Sequence, residues 1–222
     1  MDIDFNLNMN EADYVEQFFA DSPLLSVIKF VQSDAKKLLS ERRFTHSVGV
    51  AKTACKMCAL YGEKKDRGYL AGIGHDICKE IESSELVALA KKDGLPISPM
   101  EEKKSSLLHG RAAAVLLKEK YGVSDKELLE AVAFHTYGNK KFGVLGKIIY
   151  SADKIEPGRE NITQEYLSHL FSLTLDELTV EVLKESMDYV NKKGFSVAPE
   201  SVEFLEHLEK LCCANDTLNS GR

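Results

Sequence analysis

The chain has 222 residues and carries 35 acidic against 29 basic side chains, a formal net charge of −6. Hydrophobic residues make up 44%, enough for a real core, so disorder over the whole length is excluded. The acidic balance speaks against a broad nucleic-acid-binding surface, and an anionic small substrate would need positive charge gathered locally.

The start, MDIDFNLNMNEAD, lacks the basic and apolar regions of a secretory signal. The longest run without Asp, Glu, Lys or Arg is the ten residues Tyr166–Leu175, well short of the ~20 that a membrane span needs. A cytoplasmic location without a membrane partner is expected. The five cysteines, at 55, 58, 78, 212 and 213, read as free thiols. Cys55-x-x-Cys58 lies inside a helical pattern, so buried packing thiols are expected there. Neither a redox pair nor a zinc site shared with Cys212 and Cys213 is.

Helix punctuation is abundant and strand alternation is nearly absent. Apolar periodicity predicts helices near 23–39, 43–61, 65–78, 83–93, 99–121, 125–136, 142–154, 163–171, 174–192 and 199–213. Ser22-Pro23 and Ser98-Pro99 look like N-caps followed by proline, and Ser98, Ser124 and Thr174 each precede a glutamate at capping-box spacing. Gly62, Gly94, Gly122 and Gly194 sit where a left-handed C-cap would end a helix. Short links imply a single all-α domain over 22–213, with an N-terminal appendage at 1–21 and a polar tail at 214–222.

Four of the six histidines, His46, His75, His109 and His135, fall in four different predicted helices at core-facing offsets. A lone histidine in such a place is ordinarily a hydrogen-bonded structural residue. Asp76 and Asp153 are harder to explain, because an unpaired buried carboxylate costs several kcal/mol. Six such groups aimed inward need a common partner, and a metal cluster supplies one. Imidazole nitrogen with carboxylate oxygen suits Fe, Mn, Co or Zn. Asp76 has two oxygens with which to bridge two ions. Two divalent ions outweigh two aspartates, which favours an anionic substrate. Lysines and arginines at 140, 141, 147, 154 and 159 either line a phosphate entrance or form a solvated face.

The segments RFTH (43–46), GHDICKE (74–80), LLHG (107–110), FHTYG (134–138) and SADKIEPGR (151–159) occur in this order. Together they resemble the HD-domain metal-dependent phosphohydrolases. More closely, the chain is similar to the YqeK family of bacterial symmetrical diadenosine-tetraphosphate hydrolases, over roughly residues 25–210. The resemblance implies an all-α HD helical bundle with a dinuclear metal site, iron being the first expectation. His46, His75, Asp76 and Asp153 would hold one ion, and Asp76, His109 and His135 the second. Lys79 would lie by the substrate phosphates, with Asp76 and Lys79 the catalytic pair. Arg43, Thr136, Gly138 and Arg159 match positions near the nucleotide. Gly74, Arg111, Tyr137 and Ser151 depart from the family pattern without touching a presumed ligand. The implied reaction is hydrolysis of diadenosine tetraphosphate to two ADP. The rivals are an HD phosphohydrolase of mononucleotides, cyclic nucleotides or alarmones, and a nucleotide-sensing module with little turnover. The implied partner is a small nucleotide, with no nucleic acid. Oligomeric state, a homodimer included, is left open.

Overall fold

The computed structural model describes the backbone of residues 9–219 and the side chains of residues 9–214. Its helices are α1 (Glu11–Phe19), α2 (Leu25–Leu38), α3 (Glu41–Tyr61), α4 (Lys65–Gly74), α5 (Ser83–Ala90) and α6 (Pro99–Lys103). They continue with α7 (His109–Tyr121), α8 (Lys126–Phe134), α9 (Val144–Ile155), α10 (Gln164–Leu170), α11 (Leu175–Lys192) and α12 (Pro199–Asn219). Short 3-10 turns occupy Lys91–Asp93 and Ser105–Leu108, and no strand occurs among the described residues.

The centre of the bundle is α4, packed against α2, α3, α8 and α9. Every residue from Gly68 to Gly74 is buried. Such a helix has no room for a polar face, and its KDRGYLAGIG sequence accordingly has none after Arg67. Its closest neighbour is α3, and small residues set that distance. A Cβ added at Gly72 would lie 2.6 Å from the Ala51 Cα, and one at Gly68 would lie 2.5 Å from the Cys58 Sγ. Cys55 and Cys58 are buried free thiols at this seam, as the sequence led us to expect. The seam holds the His75-Asp76 pair at the end of α4 against the side of α3 that carries His46.

Several boundaries differ from the sequence reading. The predicted helix 65–78 stops at Gly74, and residues 75–80 continue as tight turns, with Ile77 N donating to Gly74 O and Lys79 N to Asp76 O. The predicted helix 99–121 breaks into α6, a 3-10 turn and α7, because Lys104 leaves the helical region (φ −141°, ψ 81°). Ser22 caps the turn before α2, accepting from Leu24 N, and Asp125 rather than Ser124 caps α8. The capping boxes at Ser98 and Thr174 form as expected.

Residues 9–21 of the expected appendage contain α1, whose Asn10 side chain accepts from Ala12 N and Asp13 N. Tyr14, Val15 and Phe19 of α1 belong to the common core, and the Tyr14 ring stacks on Tyr69 of α4 at 5.6 Å. Residues 1–8 lie outside the described residues. The expected tail falls within α12 as far as Asn219, and residues 220–222 lie outside the described residues.

The α3–α4 seam gives a direct test. Gly72→Ala gains helix propensity of ~1 kcal/mol, but its methyl meets backbone atoms that cannot swing aside. We expect a net loss of ~1–3 kcal/mol from overpacking, read as a lower urea midpoint with unchanged m-value. A variant as stable as the parent would show that the helices separate without cost.

Candidate metal centre

The structure brings the four histidines and two aspartates into one cluster, and helix ends do most of the positioning. His46 lies in the second turn of α3 and Asp153 in the last turn of α9. His75 and His135 come directly after the ends of α4 and α8, and His109 opens α7. The sequence reading placed His75, Asp76 and His135 within helices. Their position just past helix ends gives them partners that a helix interior withholds.

Those partners are backbone carbonyls. The last carbonyls of a helix have no partner in the ladder. His75 Nδ1 donates to Gly72 O at 2.6 Å and His135 Nδ1 donates to Val132 O at 2.7 Å. His109 Nδ1 donates in the same way to Ser106 O at 2.7 Å. Each bond fixes the tautomer, so all three rings turn an Nε2 lone pair towards the cluster. Gly110 permits the close approach of α7 to the end of α8. A Cβ there would lie 2.8 Å from the Val132 and Ala133 carbonyl oxygens.

With these tautomers the centre is crowded by acceptors. His109 Nε2 is 3.0 Å from His135 Nε2 and 3.0 Å from Asp76 Oδ1. His135 Nε2 lies 3.6 Å from the same oxygen, and His75 Nε2 lies 3.8 Å from it. His75 Nε2 is also 3.7 Å from Asp153 Oδ1, which lies 3.1 Å from His46 Nε2. His75 Nε2 and Asp76 Oδ1 are buried without a hydrogen bond. Lone pairs facing lone pairs repel, and such an arrangement calls for a cation. The donor set fits a divalent ion, since ligand atoms of His46, His75 and Asp153, and again of His75, Asp76 and His135, lie within 4.8 Å of one another. No cysteine belongs to these groups.

Protonation follows the same geometry. Burial pushes the His135 imidazole down to about 3 and lowers His109 too, so both are neutral, the form that binds metals. The Asp76 carboxylate is held well below the usual range despite its burial. Asp153, half-buried, is also held low, against the cost of burial, by Lys154, His46 and His75. His46 is pushed up to about 9: burial opposes the shift, and the Asp153 and Glu156 carboxylates outweigh it.

Cations occupy the open side. Lys79 Nζ is 2.9 Å from His109 Nε2 and 3.5 Å from Asp76 Oδ1. Arg43 Nη1 reaches Asp76 Oδ2 at 3.4 Å, and Arg159 Nη2 donates to Asp153 Oδ1 at 3.0 Å. The side chains of Lys79, Arg43 and Arg159 are 24%, 30% and 41% exposed, against 0–3% for His75, Asp76, His109 and His135. They therefore line the face that a solute reaches. Thr136 Oγ1 is 3.4 Å from His109 Nε2. Gly138 is not in the cluster. Its φ of 80° and the Phe204 ring packed against it leave no place for a side chain, and it closes the turn that carries Thr136.

The remaining basic residues divide. Lys140 pairs with Glu203 and Lys147 with Asp176, away from the cluster. Lys154 Nζ donates to Asp153 Oδ2 at 3.2 Å and to His135 O at 3.1 Å, bracing the cluster from behind. Arg111, beside the His109-Gly110 pair, is buried. It donates to Asp93 at 2.7 and 2.8 Å, to the Leu95 and Pro96 carbonyls at 3.0 Å, and to Glu101. These bonds fasten the start of α7 to the 93–101 stretch. The sequence reading assigned no role to Glu156, which contacts His46 and whose only sequence signal is its place in SADKIEPGR. A separate groove lies between α11 and α12, lined by Val180, Lys184 and Cys212.

Comparison with known proteins places the segment that carries this site in a family. An HD domain model matches residues 43–158, from Arg43 through the Glu156 turn. The chain is 29% identical over 175 residues to the symmetrical bis(5'-nucleosyl)-tetraphosphatase of Staphylococcus aureus, covering 78% of this chain and 90% of that protein. It is 30% identical over 167 residues to the enzyme of the same name from Halalkalibacterium halodurans, covering 75% and 89%. A crystal structure of an HD superfamily hydrolase from Clostridium acetobutylicum, described as involved in NAD metabolism, superposes with a TM-score of 0.76 at 29% identity. It covers 82% of this chain and 96% of that one. The matched segment contains all six converging histidines and aspartates, and on these grounds the chain belongs to the HD-domain family.

Proposed function

We propose that this protein is a metal-dependent hydrolase that cleaves diadenosine tetraphosphate symmetrically, giving two ADP. The observation that carries the reading is the convergence of four imidazoles and two ionised carboxylates on one centre. The family match and the names of the relatives above support it. No helix among the described residues is long and apolar enough to cross a membrane.

His46, His75, Asp76 and Asp153 would hold one divalent ion, and Asp76, His109 and His135 the other, with Asp76 between them. The nitrogen and oxygen donors favour iron first, with manganese, cobalt or zinc compatible. When bound, such ions supply Lewis acidity towards phosphate oxygens and lower the pKa of water at the site.

The chain's own residues do the rest. Arg43, Lys79 and Arg159 gather positive charge on the open side of an otherwise acidic protein, where a polyphosphate enters. Thr136 adds a hydroxyl beside His109. Lys79 bears a compact charge at the rim, suited to the negative charge that builds on a departing diphosphate oxygen. A bridging phosphate position suits the middle of a four-phosphate chain, since the bulky nucleosides then fall on either side.

Two measurements test this reading. Early products from diadenosine tetraphosphate, separated by ion-exchange chromatography, should be ADP alone. Equal amounts of ATP and AMP would contradict symmetrical cleavage, and fast turnover of a mononucleotide alone would point to a different HD substrate. Lys79→Ala should lower kcat by ~10²-fold while bound metal stays at the wild-type level. Unchanged kinetics would place Lys79 outside the chemistry.

A further inference from the structure

Three of the four clustered imidazoles take their orientation from a backbone carbonyl three residues earlier. His46 has no such option. It lies inside α3, where carbonyls are already engaged in the helical ladder. Its Nδ1 instead contacts Glu156 Oε1 at 3.1 Å. The other carboxylate oxygen, Oε2, accepts from Gly158 N at 2.7 Å. Glu156 is itself buried, and Gly49, one turn after His46 on α3, makes room for it. A Cβ at position 49 would lie 2.5 Å from Oε2.

We propose that Glu156 is a positioning residue: its carboxylate accepts from both His46 and the Gly158 amide, and so sets the affinity of the metal position built on His46 and Asp153. This rests on the two-metal reading above. Both partners of the carboxylate are donors, so the group between them must accept twice. Accepting from Nδ1 keeps a hydrogen there and leaves Nε2, the atom 3.1 Å from Asp153 Oδ1, as the nitrogen that would give up its proton to a bound metal. The same contact ties His46 to the 156–159 turn. From that turn Arg159 Nε donates to Asp153 O at 2.6 Å, and its Nη2 donates to the Asp153 carboxylate. One buried carboxylate thus aligns two ligands from different helices with a cation that faces the substrate.

Glu156→Gln tests the claim with almost no change in shape. An amide has one acceptor and one donor, so it cannot serve both partners. With its oxygen towards His46, its NH2 confronts the Gly158 N–H. Turned over, it forces Nδ1 to accept and moves the hydrogen to Nε2. Metal-free protein is titrated with Zn2+ against a chelating indicator, and folding is checked by circular dichroism. Wild type should take up about two ions per chain. Glu156→Gln should keep one and bind the other ~10–100-fold more weakly. Gly49→Ala should shift affinity in the same direction by displacing the carboxylate, and its gain in helix propensity makes it the folded alternative if the glutamine variant is unstable. Wild-type affinity for both ions in a folded variant of either kind would overturn the positioning role. A wild type that binds fewer than two ions would instead overturn the two-metal reading itself.

Discussion

Mutual repulsion among buried lone pairs is the constraint on which the site depends. His109 Nε2 faces both His135 Nε2 and Asp76 Oδ1 at 3.0 Å, and none of the three carries a proton to place between them. In a low-dielectric interior such a convergence is costly unless positive charge sits within it. The structure supplies one cation directly, the Lys79 ammonium 2.9 Å from His109 Nε2. A divalent ion satisfies several lone pairs at once. Function and stability are therefore opposed here: the interior is arranged for a charge it must acquire.

The rest of the fold keeps that arrangement from relaxing. Rings whose Nδ1 hydrogens are held by the Gly72, Ser106 and Val132 carbonyls cannot turn their lone pairs away. The glycine contacts between α3 and α4 fix the distance between His46 and His75, and Gly110 does the same for His109 and His135. Arg111 anchors the start of α7 through four acceptor groups rather than through apolar packing, which leaves little freedom for His109 to withdraw. Lys154 holds the second oxygen of Asp153 and the His135 carbonyl together.

Much of this was legible in the sequence. Helix class, the capping boxes at Ser98 and Thr174, and the burial of Cys55 and Cys58 follow from local rules. The inward-facing histidines and aspartates followed from periodicity combined with the cost of burying a carboxylate. What periodicity missed lies at breaks in the pattern. Residues 75–78 have helical composition, yet the chain tightens after Gly74. The apparent continuity of 99–121 hides the turn at Lys104. The first residues read as an appendage because an acidic start obscures the apolar face of Tyr14, Val15 and Phe19. Glu156 and Lys154 were illegible as supports, because a supporting residue is defined by a partner far away in sequence, here His46 and the His135 carbonyl.

Electrostatics link this centre to its substrate. An acidic protein repels polyanions in general, so in the proposed reading the cluster of Arg43, Lys79 and Arg159 beside the metal ligands would be what admits one. In the proposed two-metal reading Asp76 belongs to both ligand groups and carries the charge that would make them a single centre. The most direct measurement is therefore elemental analysis of wild type and Asp76→Ala, both purified without chelator. The account predicts about two divalent ions per wild-type chain and a loss of at least one from the variant, with folding retained. Equal metal content in the two proteins would contradict it.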